Sequence, residues 1–165
     1  MQSSFVRARW ALRVGIVGLV VLAASMSVSA CTPLKGAPPS SDQITQLFGL
    51  VNGARAANGL APLTPCVPLA LAADAHNRDM AVTGNFDHTG SGGSTPATRA
   101  ALFGYVGTTI GENIAVGQQS AQEVFDSWMS SPGHRANILE PSFTQAGFAT
   151  FNGWWTQVFG AGGVC

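Results

Sequence analysis

The chain has 165 residues, with eight Lys and Arg balanced by eight Asp and Glu. Three of the basic residues, Arg7, Arg9 and Arg13, precede the first acid, so beyond residue 30 five basic side chains face eight acidic ones. That balance excludes the basic face a nucleic-acid-binding protein needs, while leaving enough chain for one domain with its own core.

The first thirty residues have the order of an export leader: a basic start, an apolar run from Val14 to Ala24, then small residues up to Val28-Ser29-Ala30-Cys31. The run is shorter than the roughly 20 residues of a membrane span. Val28-Ser29-Ala30-Cys31 fits the lipobox, in which Cys31 becomes the acylated first mature residue and anchors the protein to a membrane. The alternative is a soluble secreted protein cut after Ala30. Residues 31–40, rich in Pro, Gly and Ser, read as a tether, and residues 41–165 as the folded domain. With Cys31 acylated, Cys66 and Cys165 remain as a pair suited to an oxidising compartment, either bridged or as two free thiols. A bridge would close a long loop and stabilise by about 4–5 kcal/mol on the chain-entropy model.

In chain order, Ser40 and Gln43 form a capping-box pattern opening a helix that buries Ile44, Leu47, Phe48 and Val51 and ends at Asn58-Gly59. Thr64-Pro65 predicts the cap and first turn of a second helix, with Leu69, Ala72, Ala73, His76 and Met80 inward and Gly84 as its stop. Thr89-Gly90-Ser91-Gly92-Gly93 is too glycine-rich for regular structure. Thr95-Pro96 opens a short helix to about Phe103, and residues 104–118 read as loop. Ser120 and Glu123 form the clearest capping box, on a helix with Val124, Phe125, Trp128 and Met129 inward that stops at Pro132-Gly133. Asn152-Gly153 between two alternating stretches is a hairpin signal. Phe151 pairs with Trp154 and Ala149 with Thr156 on one face, Thr150 with Trp155 and Phe148 with Gln157 on the other. Bulky apolar residues on both faces require cover on both sides. The expected fold is therefore α+β, an α-β-α sandwich around a small, mainly antiparallel sheet.

The histidines are His76, His88 and His134. His76 lies on an apolar stripe and reads as core, whereas His88 and His134 stand at segment ends, where scaffolds place functional groups. Their surroundings carry a resemblance. Asn52-Gly53-Ala54-Arg55, Gly59-Leu60-Ala61-Pro62-Leu63, Phe86-Asp87-His88, Gly111-Glu112-Asn113-Ile114-Ala115, the run Trp128 to Leu139 containing Ser131-Pro132-Gly133-His134-Arg135, and Trp155-Thr156-Gln157-Val158-Phe159 occur in that order. Together, over roughly residues 41 to 160, they resemble the short bacterial branch of the cysteine-rich secretory protein, antigen 5 and pathogenesis-related (CAP) family. The resemblance implies an α-β-α sandwich and a cleft lined by two histidines and two acids. The histidines fall on His88 and His134 and the first acid on Glu112. Ser130 and Ser131 stand where the second acid belongs, which leaves any role for paired carboxylates unsupported.

Two imidazoles can hold zinc or another divalent metal, with Glu112 either a third ligand or the group orienting a histidine. The competing reading is a structural His-Glu-His network. Ser131 has the residue type of a nucleophile beside His134, but the sequence shows neither nucleophile elbow nor oxyanion hole, so it reads as the end of a helix. The functional expectation is a non-enzymatic, exported or envelope-anchored module that binds a lipid or a protein partner. The alternative is a metal-dependent hydrolase of envelope substrates with Glu112 as base.

Overall fold

The computed structural model describes residues 41–165. The leader, Cys31, the tether and the Ser40 cap lie outside the described residues.

Helix α1 (Ser41–Ala57) buries Leu47 and Val51 completely and packs Ile44 and Phe48 against the same core. Its turn closes through the Asn58 and Gly59 amides, which bond to the Arg55 and Ala56 carbonyls. Arg55 is also fully buried. Its guanidinium donates to the carbonyls of Ala61 (2.8 Å), Ile138 (2.9 Å), Glu140 (2.9 Å) and Phe143 (3.0 Å). A buried cation must be surrounded by acceptors, so this side chain fastens α1 to the distant segment 138–143.

The Thr64-Pro65 expectation needs correction: these residues form strand β1 (Thr64–Pro65), parallel to β3 (Gln145–Phe151). Two features pull the segment out straight. The Asn52 amide grips Leu63 through both its N–H and its carbonyl (2.8 and 3.0 Å). The Thr64 and Cys66 amides then bond to the Thr144 and Ala146 carbonyls, and Pro65 between them has no donor to lose. Helix α2 (Val67–Thr83) starts after Cys66, with Pro68 in its first turn, and ends at left-handed Gly84. It buries Leu69, Ala72, Ala73, His76 and Met80, as the spacing predicts.

Ser91–Gly93 forms a single 3-10 turn closed by a bridge between Gly90 and Ser94, a short regular piece in a stretch expected to have none. Helix α3 (Pro96–Leu102) carries a reciprocal Thr95–Thr98 capping box. The expected loop 104–118 contains strand β2 (Thr109–Val116), antiparallel to β4 (Trp154–Ala161). Helix α4 (Ala121–Ser130) has Ser120 as its cap, accepting from the Glu123 amide. Pro132-Gly133 does not end the helical chain. Ser131 closes α4 and precedes a further helix, α5 (Pro132–Ile138), because proline suits a first helical turn as well as it suits a stop.

The sheet order is β1-β3-β4-β2, and the hairpin register is the one read from the sequence, with Phe151 opposite Trp154 and Phe148 opposite Gln157. Asn152 and Gly153 both have positive φ, as a two-residue turn of this hand requires. One face, with Phe148, Trp155 and Phe159, packs in a core with Leu47, Val51, Val124 and Trp128. The other face, with Val158, packs in a core with Leu69, Ala72, Ala73, Ala100 and Tyr105. This is the expected sandwich. The expected disulfide is also present, joining Cys66 to Cys165 across 99 positions with Cα atoms 5.1 Å apart. On β2, the Trp128 indole donates to the Ile114 carbonyl and the Asn137 amide to the Glu112 carbonyl, so groups on the sheet's edge are capped by helices.

Helix α2 lies directly on Gly147 of β3: a Cβ there would overlap the Ala70 amide nitrogen and the Leu69 carbonyl carbon. Gly147→Ala should therefore cost about 3 kcal/mol in urea denaturation, since the backbone itself would have to move. Gly49→Ala, at an exposed position of α1 with open space around it, should gain about 0.5–1 kcal/mol under the same conditions.

Candidate functional site

The expected site residues come from three elements around β2. Glu112 lies on β2 with its side chain on the α2–α3 side of the sheet, and it is 6% exposed. His88 follows α2 and is half-exposed; His134 lies in the first turn of α5. His134 is thus a helical residue, a correction to the expectation that it stands at a segment end after a helix stop at Pro132-Gly133.

The Glu112 carboxylate is held at both oxygens. Oε1 accepts from His88 Nδ1 at 2.8 Å, and Oε2 accepts from Arg99 Nη2 at 2.7 Å. Arg99, on α3, is 5% exposed and also donates to the carbonyls of His88 (3.1 Å) and Ser94 (2.9 Å). One guanidinium therefore fixes the acid, the backbone of the histidine paired with it, and the glycine-rich turn. The sequence reading missed Arg99. A signal existed: Arg99 is next to core residue Ala100 on a short helix, and a buried carboxylate calls for a buried cation.

His76 is core, as expected, but it also borders the site. Its ring is fully buried and Nε2 lies 3.7 Å from Glu112 Oε1. At 2.9 Å the same nitrogen meets the Asp87 carbonyl, which can only accept, so Nε2 carries the proton. The loop that presents His88 is thereby tied to α2. Asp87 Oδ1 accepts from the Thr89 amide (2.6 Å) and Asp79 Oδ2 from the Ser91 amide (2.8 Å), which holds both sides of the loop.

On the far side of β2, Asn113 donates to the Gln157 side chain (3.1 Å) and the His134 carbonyl (3.0 Å), and Asn137 donates to Asn113 Oδ1 (2.9 Å). These amides seat α5 and set where His134 stands. Ser131 caps the junction of α4 and α5 through its backbone, and its hydroxyl makes no cap bond to α5. It is placed as the end of a helix, with no bond to the His134 ring among the described residues.

The three histidines are tuned differently. The hydrogen bond to Glu112 raises the His88 pKa against the opposing effect of partial burial. Burial lowers that of His76, outweighing the attraction of Glu112. Burial, and then repulsion from His88, lowers that of His134.

The carboxylate bond requires the proton on His88 Nδ1, which leaves Nε2 as the free nitrogen. Among the described residues no group of three or more His, Cys, Asp or Glu side chains is disposed to hold a metal ion. Glu112, with its oxygens committed to Arg99 and His88, fits the role of orienting a histidine better than that of a third ligand.

Comparison with known proteins shows the family and the fold. The family model described as the cysteine-rich secretory protein family matches residues 48–159. The Bacillus subtilis protein YkwD is 40% identical over 112 residues, 67% of this chain and 44% of that protein. The crystal structure of an extracellular protein of Bacillus anthracis containing an SCP domain superposes with a TM-score of 0.70 at 26% identity, over 76% of this chain and 45% of that one. An outer surface protein of Borrelia burgdorferi shares the fold, with a TM-score of 0.67 at 19% identity, over 76% of this chain and 98% of that protein. The chain spans less than half the length of the two Bacillus relatives.

The histidine tuning gives a pH prediction. A raised pKa means that the His88–Glu112 pair stabilises the fold below the ordinary imidazole value of about 6.5 and ceases to do so as pH rises through the raised value. The lowered pKa values of His76 and His134 act the other way: stability is full above about 6.5 and is lost as pH falls from there through the lowered values. In an NMR titration of the imidazole carbons, His88 should titrate highest, with His76 and His134 below the ordinary value. Glu112→Gln should bring His88 down; an unchanged His88 midpoint would show that the carboxylate bond does not hold it.

Proposed function

The chain belongs to the cysteine-rich secretory protein family, and from that premise and the state of its acid we propose that it is an exported, non-enzymatic binding module. The observation that carries this reading is that the carboxylate of Glu112 is committed at both oxygens, to Arg99 and to His88. A general base must be within reach of a substrate proton, and the Glu112 side chain is only 1% exposed beside the Arg99 cation, so a metal-dependent hydrolase would require it to leave a buried ion pair on every turnover. Held as it is, the carboxylate instead fixes the His88 ring. That leaves His88 Nε2 and the half-buried His134 ring to meet a ligand, a lipid or protein partner of the envelope.

Export rests on the leader sequence, on the Cys66–Cys165 bridge, which belongs to an oxidising compartment, and on the extracellular and outer-surface relatives. Acylation at Cys31 would keep the module on the outer face of the membrane. Zinc or another divalent ion is an alternative occupant of the cleft, with two imidazole nitrogens as the available donors.

The test compares the wild-type protein with a His88→Ala/His134→Ala variant that retains its circular dichroism spectrum. Mass spectrometry should find a lipid or envelope partner with the purified wild type that is absent from the variant. Envelope peptide and ester substrates should be left intact by both. Turnover by the wild type that His88→Ala abolishes would overturn the binding reading in favour of the hydrolase. Zinc bound one-to-one in calorimetry, and lost in the variant, would make the cleft a metal site.

A further inference from the structure

A second concavity lies away from Glu112. It is a pocket of about 350 Å³ between α4 and α5, lined by Met129, Ser130, Pro132, Arg135, Ala136 and Leu139. Four of the six lining residues are apolar, and one of them, Met129, has a side chain that adapts its shape to different partners.

The charge at its rim is unusual for this domain. The described residues hold four arginines and no lysine. Arg55 is spent on backbone carbonyls, Arg78 on Asp74 at 2.7 Å, and Arg99 on Glu112. The Arg135 side chain is exposed and has no hydrogen bond or ion pair among the described residues. A domain with an excess of acids thus leaves its uncommitted arginine on the wall of a pocket that also has apolar side chains. Beside it, the Ser130 hydroxyl donates to the Ser127 carbonyl at 2.8 Å, which leaves its oxygen lone pairs able to accept.

We propose that this pocket takes the C-terminal end of a peptide whose last side chain is apolar. Arg135 pairs with the terminal carboxylate through its two-pronged guanidinium, Ser130 accepts a peptide N–H, and the side chain fills the space between Met129 and Leu139. The volume lies at the small end for ligand sites, which begin near roughly 300 Å³. That suits a branched or aromatic side chain with its adjoining backbone. An extended acyl chain would need a longer channel with an unbroken apolar wall, and here Ser130 and Arg135 interrupt it. Capture of a terminal carboxylate is a recurring mode of peptide recognition. None of the residues lining the pocket is His88, Glu112 or His134. This site is therefore separate from the histidine cleft and does not rest on the reading given for it.

Calorimetry with N-acetyl-leucyl-phenylalanine, its C-terminal amide and octanoate tests the assignment. The free acid should bind the purified protein about threefold to tenfold more tightly than the amide, the range expected for one partly exposed charge pair. Arg135→Gln, which keeps a good helix former at an exposed position, should remove the preference. Ala136→Phe should weaken acid and amide alike by filling the pocket, and His88→Ala/His134→Ala should change neither. Equal affinity for acid and amide, or a preference that survives Arg135→Gln, would overturn the proposal. So would octanoate binding as tightly as the peptide, loss of binding in the histidine variant, or no binding by the free acid at all.

Discussion

The ion pair between Glu112 and Arg99 is the constraint around which this domain is arranged. A carboxylate on a strand, under two helices, is too costly to leave unpaired, and its partner has to be equally buried. Arg99 meets that demand from α3, and its remaining hydrogen bonds reach the His88 and Ser94 carbonyls. The pair therefore links β2, α3 and the glycine-rich turn into one unit, with His88 as its exposed end. Replacing either partner would leave the other buried and charged, which is why such a pair fixes geometry even where it adds little net stability.

The same logic of buried polar groups finding partners operates on the other side of the sheet. Arg55 gathers four carbonyls from segments flanking and following α1 and α5. Asn113, Asn137 and Gln157 form a chain of amides between the sheet and α5. The candidate site is thus built by polar groups turned inward, while the two apolar cores hold the helices against the sheet. Gly147 sets how closely α2 approaches, and through α2 the position of His76 and the loop it anchors.

That division explains what could be read in the sequence. The hairpin, its register, the inward faces of α1, α2 and α4 and the Cys66–Cys165 pair follow from periodicity, turn chemistry and redox logic, and the structure has them all. Strand β2 escaped because Gly111, Glu112 and Asn113 interrupt apolar alternation at the positions where the strand buries polar residues. Helix α5 escaped because Pro132-Gly133 reads as a stop when α4 is followed from its start, and as a first turn only when followed from its end. Strand β1 escaped because the side chain that straightens it, Asn52, lies 11 residues away. In the candidate site, His88, Glu112 and His134 were named by resemblance, and the structure joins the first two by a hydrogen bond. Arg99 was signalled only by its place beside Ala100 on a short helix, because its partner is apparent only once β2 is a strand and α3 packs beside it.

The two cleft histidines differ in a way that bears on what they can recognise. His88 is pulled toward the cationic form by Glu112, and His134 is pushed toward the neutral form by burial and by His88 itself. Between their two midpoints the cleft presents one imidazolium and one neutral ring, a donor beside a group that can accept. A matched pair of neutral rings would suit a metal ion better, since a ligating histidine must give up its proton. The buried ion pair that holds Glu112 beside His88 is thus also what sets the two rings apart, so the electrostatics of the candidate site follow from the same contact that positions it.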